Sequence, residues 1–216
     1  MTMSRGAARI VLLPGAFSTA GDFATAGFAD ALRERALGVE LIVTDLGLTS
    51  VTDRSVLERL RTGPLRAARA AGAESIWLAG VSLGAFVALA LAERHPGEVD
   101  GLCLIAPYLG TRIVSGEVAR AGGLARWQPG AFGDDDEERR VWRFLQSRAA
   151  PRPSIHLGYG RADRFADSQQ LLAEALPADS VDVIEGSHDW PTWRTLWERF
   201  LDRWPARAPA ARPGHR

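Results

Sequence analysis

The chain has 216 residues, of which 46% are hydrophobic and 24% charged, and its formal net charge is zero. A chain of this length can form one well-buried domain and is short for two, so we expect residues 1–216 to be a single domain. The balanced charge gives no indication of nucleic acid or another polyanion as a partner.

Short apolar runs and helical patterns alternate along the chain. The apolar runs predict six strands, over residues 9–13, 40–45, 75–79, 101–106, 154–159 and 181–184. The main helical patterns cover residues 23–36, 52–71, 83–95 and 191–204, and the second contains a potential break at Gly63 and Pro64. Strands joined by helices predict an α/β fold, a three-layer α/β/α sandwich around a parallel sheet.

The first apolar run, from Ile10 to Leu13, is followed by Pro14 and Gly15. It is too short for a signal peptide or a membrane span, so we expect a cytoplasmic protein without a membrane segment. The single cysteine, Cys103, lies within a predicted strand. We expect it to be an inert buried thiol rather than a disulfide partner.

A long segment, residues 109–150, separates the fourth and fifth predicted strands. We interpret it as a small, partly helical lid, because loops of this length usually serve a function. An acidic run over residues 134–138 is expected to cap a helix that continues through Gln146. The apolar residues of the segment are expected to line an acyl or alkyl pocket, or else only to hold the lid down: Ile113, Val114, Trp127, Phe132, Trp142 and Phe144.

The last helical pattern, residues 191–204, carries aromatic and aliphatic residues at helical spacing, which predicts packing against the sheet. Trp190 precedes this stripe, and we expect it to border the functional site. Residues 205–216, rich in Arg, Pro and Ala, are expected to be disordered.

The pentapeptide Gly80-Val81-Ser82-Leu83-Gly84 lies between a predicted strand and a predicted helix. A sharp turn at this junction would lift the Ser82 hydroxyl above the sheet, and the flanking glycines would avoid collisions with neighbouring elements. This arrangement is typical of a serine nucleophile. The alternative is that Ser82 only caps the buried helix that follows.

A serine nucleophile needs a base, and the chain has four histidines. His215 lies in the tail, His95 ends a helix, and His156 lies inside a predicted strand. His188 follows the last strand, where catalytic groups gather in open α/β sheets. We therefore favour His188 as the base, and metal ligands or cofactors are not expected.

The base needs an orienting acid, and three aspartates are candidates. Asp163 follows the fifth predicted strand and is the favoured choice, because its carboxylate could accept the Nδ1 proton of His188. Asp167 is the main competitor. Asp189, adjacent to the base, is expected to cap the last helix instead.

An oxyanion needs two backbone N–H donors. Leu83, which follows the serine at a helix N-terminus, is expected to supply one of them. The second is expected from Ala16 in the glycine-containing loop after the first strand, and Phe17 is the alternative donor.

These motifs, in the order Ser, Asp, His over residues 9–204, resemble the α/β-hydrolase superfamily. The resemblance implies the strand order 2-1-3-4-5-6, the triad Ser82, Asp163 and His188, and an oxyanion hole formed by Ala16 and Leu83. Two features depart from the family pattern: Pro14-Gly15 replaces the His-Gly of many members, and two opening antiparallel strands are missing. The segment from His188 to Trp193 is also similar to the His region of esterase-D-type enzymes.

The sequence therefore predicts a cofactor-free serine hydrolase acting on a small-molecule carboxylic ester or thioester. An acyltransferase or thioesterase acting on carrier-bound acyl chains would use the same triad. A non-catalytic ligand-binding protein on the same fold is the alternative from another class.

Overall fold

The computed structural model describes residues 8–45, 55–147 and 153–204. Six strands, β1 to β6, cover Arg9–Leu13, Glu40–Val43, Ile76–Val81, Gly101–Ile105, Ser154–Gly160 and Val181–Ile184. They form one sheet in the order β2-β1-β3-β4-β5-β6, and every neighbouring pair is parallel. The predicted α/β fold and its strand order are confirmed.

Helices cover both faces of this sheet. Val11 and Leu13 belong to the core on one face, and Ile10 and Leu12 to the core on the other, because successive side chains of a strand point in opposite directions. The first layer comprises α3 (Ser55–Leu60), α4 (Arg66–Ala70), α5 (Leu83–Arg94), α6 (Arg112–Arg120), α7 (Glu137–Gln146) and α8 (Ala166–Ala173). The second layer comprises α1 (Ala20–Thr25), α2 (Phe28–Glu34) and α9 (Trp190–Asp202).

The predicted helix over residues 23–36 is two helices in the structure. Gly27 adopts a left-handed φ of 75° between α1 and α2, a conformation that interrupts a right-handed helix. The first of them also begins earlier than predicted, because Thr19 and Asp22 form a reciprocal capping box at its N-terminus.

The predicted helix over residues 52–71 begins, within the described residues, at Ser55. The chain does not break at Gly63 and Pro64. A π-helical turn, Arg61–Leu65, joins α3 to α4 and contains Pro64. The wider turn accommodates a residue that lacks the N–H required by an ordinary α-helix.

The segment from residue 109 to 147 contains α6, a short 3₁₀ turn (Leu124–Arg126) and α7. The predicted helix through Gln146 is confirmed, and Asp136 caps it by accepting a hydrogen bond from the Arg139 N–H. Trp142 is fully buried, and its indole N–H donates to the Leu109 carbonyl at 2.8 Å. Residues 148–150 of the predicted lid, like the tail 205–216, lie outside the described residues.

Ion pairs also fasten α7 to α5. The Arg94 guanidinium binds Glu137, with Nη2 2.8 Å from Oε2, and the Arg140 guanidinium binds Glu93 at 2.6 Å. Glu137 is buried, so its carboxylate depends on Arg94 for compensation. The segment is therefore held firmly against the body of the molecule.

The last helix, α9, packs against the sheet as predicted. Its buried residues are Thr192, Trp193, Leu196, Trp197, Phe200 and Leu201. The Trp197 indole N–H donates to the Phe28 carbonyl at 2.9 Å and so ties α9 to α2. In the part of the chain that the structure describes, no helix has the length and apolar character needed to cross a bilayer.

Helix α5 packs very closely on the centre of the sheet. A Cβ added at Gly84 would collide with the backbone carbonyls of Leu13 and Pro14, and one added at Gly80 would collide with the backbone of Ala85 and Gly84. The predicted need for small residues at both positions is confirmed. Because neither glycine has a side chain, β1, β3 and α5 can approach each other closely.

We expect Gly84→Ala to lower the free energy of unfolding by about 1–3 kcal/mol, because the methyl group overpacks a backbone contact that cannot move easily. Urea unfolding monitored by tryptophan fluorescence measures the change. Gly21→Ala is the matched control, since a Cβ at Gly21 has only Thr19 Oγ1 nearby, at 3.6 Å. Equal stability of the two variants would contradict the packing argument.

Candidate active site

Ser82 lies between the end of β3 and the start of α5, at the centre of the carboxyl edge of the sheet. Its φ of 52° and ψ of −114° are strained for a residue with a side chain. Its N–H donates to the Ile105 carbonyl at 3.0 Å. The Ser82 side chain makes no capping hydrogen bond to α5, so the helix-cap alternative does not describe its contacts.

The structure brings Ser82, His188 and Asp163 together in one row. Nε2 of His188 is 3.0 Å from Oγ of Ser82, and Nδ1 is 2.7 Å from Oδ2 of Asp163. A carboxylate can only accept, so Nδ1 carries the proton and Nε2 directs its lone pair toward the hydroxyl. The His188 side chain is 9% exposed and that of Asp163 is fully buried.

Two glycines allow the loops that carry Asp163 and His188 to meet. A Cβ at Gly160 would collide with the carbonyl of Gly186, and one at Gly186 would collide with the Thr192 hydroxyl. The Ala162 N–H donates to the Gly186 carbonyl at 3.0 Å. The end of β5 and the loop that follows β6 therefore lie close together, and this approach sets the distance from Asp163 to His188.

The other candidate acids lie elsewhere. Asp189 caps α9 by accepting a hydrogen bond from the Thr192 N–H at 3.0 Å, as predicted. Asp167 is exposed in the first turn of α8. Asp163 is fixed by a second contact, since its Oδ1 accepts a hydrogen bond from the Phe165 N–H at 2.8 Å.

Two of the other histidines have different surroundings. His156 is completely buried, with Nε2 3.4 Å from Oδ2 of Asp182. His95 follows α5, and burial, aided by the Arg61 charge, lowers the pKa of its imidazole. His215 lies outside the described residues.

Two aromatic rings that the sequence did not single out for the site hold the imidazole of His188. The ring of Phe165 packs edge-to-face on it with centroids 5.2 Å apart, and that of Trp193 does so at 5.1 Å. In the sequence, only its position two residues after Asp163 indicates a role for Phe165. Trp193 belongs to the apolar stripe of α9, which predicts packing against the sheet and gives no indication of a contact with His188. Trp190, expected to border the site, contacts Trp193 at 5.0 Å and stands behind it.

The loop after β1 forms a tight turn beside Ser82. The Ser18 N–H donates to the Gly15 carbonyl at 3.2 Å, and Phe17 occupies this turn with a left-handed φ of 62°. A Cβ at Gly15 would lie 3.5 Å from Cβ of Ser82. Phe17 is 94% exposed, which is exceptional for a large apolar residue.

Three backbone N–H groups near Ser82 are available as donors. Within residues 8–45, 55–147 and 153–204, those of Ala16, Phe17 and Leu83 have no acceptor. The Leu83 N–H is at the N-terminus of α5, where the first N–H groups of a helix are unpaired and the helix dipole favours negative charge.

A cavity of about 690 Å³ opens between α6 and α8 next to this site. Tyr108 and Phe165 form its inner wall, with ring centroids 5.5 Å apart. Burial, reinforced by the carboxylate of Glu138, raises the pKa of the Tyr108 phenol to about 12. The phenol is therefore neutral at physiological pH.

None of the six apolar residues of the segment borders this cavity, so the expectation that they line an acyl or alkyl pocket does not hold for it, and the alternative that they hold the segment down describes three of them. Val114, Trp127 and Trp142 are buried in the core beside α5 instead, because burial of large apolar groups on the body of the protein is more favourable than exposure in an open cavity. Trp127 and Phe132 also border a separate cavity of about 860 Å³ between α6 and α7.

Among the described residues, no group of three His, Cys, Asp or Glu side chains could hold a metal ion.

Comparisons with known proteins agree with this architecture. The model of the alpha/beta hydrolase family matches residues 10–215. No curated relative matches the sequence.

Several solved structures share the fold at low sequence identity. An S-formylglutathione hydrolase from Agrobacterium tumefaciens has a TM-score of 0.64 and 15% identity, over 96% of this chain and 87% of its own. The fluorophosphonate-binding serine hydrolase FphF from Staphylococcus aureus has a TM-score of 0.66 and 11% identity, over 92% and 84%. XC6422 from Xanthomonas campestris, described as a serine hydrolase without a lid, has a TM-score of 0.59 and 21% identity, over 97% and 86%.

We expect Asp189→Ala to lower the free energy of unfolding by about 1 kcal/mol, because it removes the cap of α9. Asp189→Asn should retain most of the stability, since an asparagine oxygen also accepts from the Thr192 N–H. Denaturant unfolding curves of both variants measure the difference. If both lost the same stability, the cap would not be the role of this side chain.

Proposed function

The chain belongs to the alpha/beta hydrolase family, and from this premise we propose that it is a serine hydrolase acting on carboxylic esters or thioesters. The observation that carries the proposal is the hydrogen-bonded row from Ser82 through His188 to Asp163. Its distances are those that proton transfer from a hydroxyl requires.

In the proposed first step, Oγ of Ser82 attacks the substrate carbonyl while Nε2 of His188 takes its proton. His188 then gives this proton to the leaving oxygen or sulfur, and an acyl-enzyme remains. In the second step, His188 takes a proton from water as the water attacks the acyl carbon, and it returns this proton to Oγ of Ser82 as the acyl–oxygen bond breaks and the acid leaves. Asp163 keeps the imidazole in the required tautomer and stabilises its charged form.

The negative oxygen formed in both steps is proposed to bind the N–H groups of Leu83 and Ala16. Both donors are free of other acceptors in the described part of the chain. The Leu83 N–H also benefits from the dipole of α5. Preorganised donors of this kind stabilise the transition state without reorganising during the reaction.

Backbone strain at Ser82 favours catalysis over simple ligand binding. A binding protein would have no need for a left-handed φ of 52° at a serine, which costs on the order of 1–3 kcal/mol. The strain points the hydroxyl at His188, which a nucleophile requires. The proposed chemistry uses only water and residues of the chain.

We expect Ser82→Ala to lower kcat for p-nitrophenyl esters by on the order of 10⁴-fold or more, because no nucleophile remains. An alkyl fluorophosphonate should label the wild-type protein once, at the peptide that contains Ser82, as measured by mass spectrometry. Ser18→Ala is the control. It removes a hydroxyl from the loop after β1, which lies beside Ser82, and this variant should still be labelled. Labelling at another residue, or full activity of Ser82→Ala, would refute the assignment.

We expect Asp163→Asn to lower kcat by on the order of 10³–10⁴-fold, because the amide can donate to Nδ1 and favour the wrong tautomer of His188. Asp189→Asn is the matched control, since it changes a carboxylate next to the base while preserving the helix cap. Steady-state kinetics on one ester measure both. A loss of less than tenfold in Asp163→Asn would remove this residue from the proposed mechanism.

A further inference from the structure

We propose that the cavity between α6 and α8 binds the acyl chain of the substrate, so that the enzyme prefers esters or thioesters of extended apolar acids. This inference rests on the proposed function and adds the substrate class to it. The cavity volume of about 690 Å³ lies within the range of small-molecule sites.

The cavity adjoins the reacting groups through two aromatic residues that contact both. Phe165 borders it and packs on the imidazole of His188 with centroids 5.2 Å apart. Tyr108 borders it as well, and the Tyr108 N–H donates to the Ser82 carbonyl at 3.1 Å. The same two aromatic residues therefore contact the proposed catalytic residues and form the inner end of the cavity.

The direction of the cavity fits the acyl group. The proposed oxyanion donors lie on the β1 side of Ser82, and the leaving atom must face Nε2 of His188 to receive its proton. The acyl substituent occupies the remaining direction around the tetrahedral carbon. The cavity lies between the elements that follow β4 and β5, on the side of Ser82 away from β1.

The lining of the cavity combines half-buried apolar side chains and the buried Ser168 with charged side chains at its exposed mouth. Tyr108, Phe165 and Leu171 are half-buried, whereas Arg112, Asp167 and Glu174 are exposed. An apolar chain would cover the inner rings, and the charged side chains would remain in water at the mouth. This arrangement favours a hydrocarbon or aryl chain over a short acetyl group.

Helix α6 presents its small side to this cavity. Four residues of the helix border it, and their positions have the spacing of one helical face: Arg112, Ser115, Gly116 and Ala119. Val114 and Val118, on the other side of the helix, are buried in the core. The two valines therefore anchor α6 and leave the cavity side open, whereas Ile113 is exposed and borders neither the core nor the cavity.

Gly116 supports this interpretation independently. It lies in the middle of α6, where glycine is less stable than alanine. A Cβ at this position would meet only Nη1 of Arg120, at 3.9 Å, so packing within the protein does not require a glycine. A substrate chain lying against this surface does require the space.

The test measures kcat/KM for p-nitrophenyl esters from acetate to decanoate in wild type, Gly116→Leu and Ala119→Leu. Ala67→Leu is the matched control, because Ala67 is also exposed on a helix but does not border the cavity. Each methylene that the cavity buries should raise the wild-type kcat/KM by up to about fourfold. The two cavity variants should lose at least about tenfold for decanoate and keep acetate turnover within about twofold.

Gly116→Ala tests whether a side chain at position 116 is compatible with a folded α6. It should raise Tm by about 1–4 °C, because alanine is the better helix former and has room at this site. If Gly116→Leu fails to fold, Ala119→Leu carries the test, since Ala119 is exposed. A parallel series of alkyl acetates, in which only the alcohol lengthens, tests the leaving-group side.

The outcomes separate this inference from the proposed function. Unchanged chain-length dependence in both cavity variants would overturn the acyl assignment, and so would an effect confined to the alkyl acetate series. A wild-type protein that hydrolyses no ester and takes no label at Ser82 would overturn the proposed function as well. A selective loss of long acyl esters in both variants would support the inference.

Discussion

The close packing of α5 against β1 and β3 is the constraint on which the rest of the site depends. Gly80 and Gly84 supply the space, since a methyl group at either would meet neighbouring backbone atoms. Because the helix starts so near the sheet, the chain must turn within one residue, and Ser82 takes a left-handed φ of 52°. Strain at that residue is offset by the buried core around α5.

From this turn, parallel topology determines which residues meet. The carboxyl ends of β3, β5 and β6 lie at one edge, so loops far apart in sequence bring Ser82, Asp163 and His188 within hydrogen-bonding distance. Phe165 and Trp193 then hold the imidazole from two directions. The imidazole of His188 is therefore fixed by packing as well as by Asp163, which limits the alternative positions that the ring can adopt.

The segment after β4 divides its residues between two tasks. Several of its bulky apolar side chains, Trp142 among them, are buried against the body of the protein, and ion pairs from α7 to α5 add to this anchoring. The small residues of α6 are left to border the cavity next to the site. In this segment buried apolar side chains and ion pairs therefore supply the anchoring, and the small residues of α6 leave the space beside the cavity.

The sequence by itself determined the parallel α/β fold, the strand order that the family resemblance implies, and a short set of candidate residues at strand ends. These depend on local periodicity, turn residues and motif spacing, all of which are properties of short segments. Only the tertiary structure decided that Trp193 rather than Trp190 contacts His188, that Gly27 divides a helix, and that α6 presents Gly116 to a cavity. Such features arise from contacts between segments distant in the chain, and a one-dimensional pattern does not say which of several apolar residues will be neighbours.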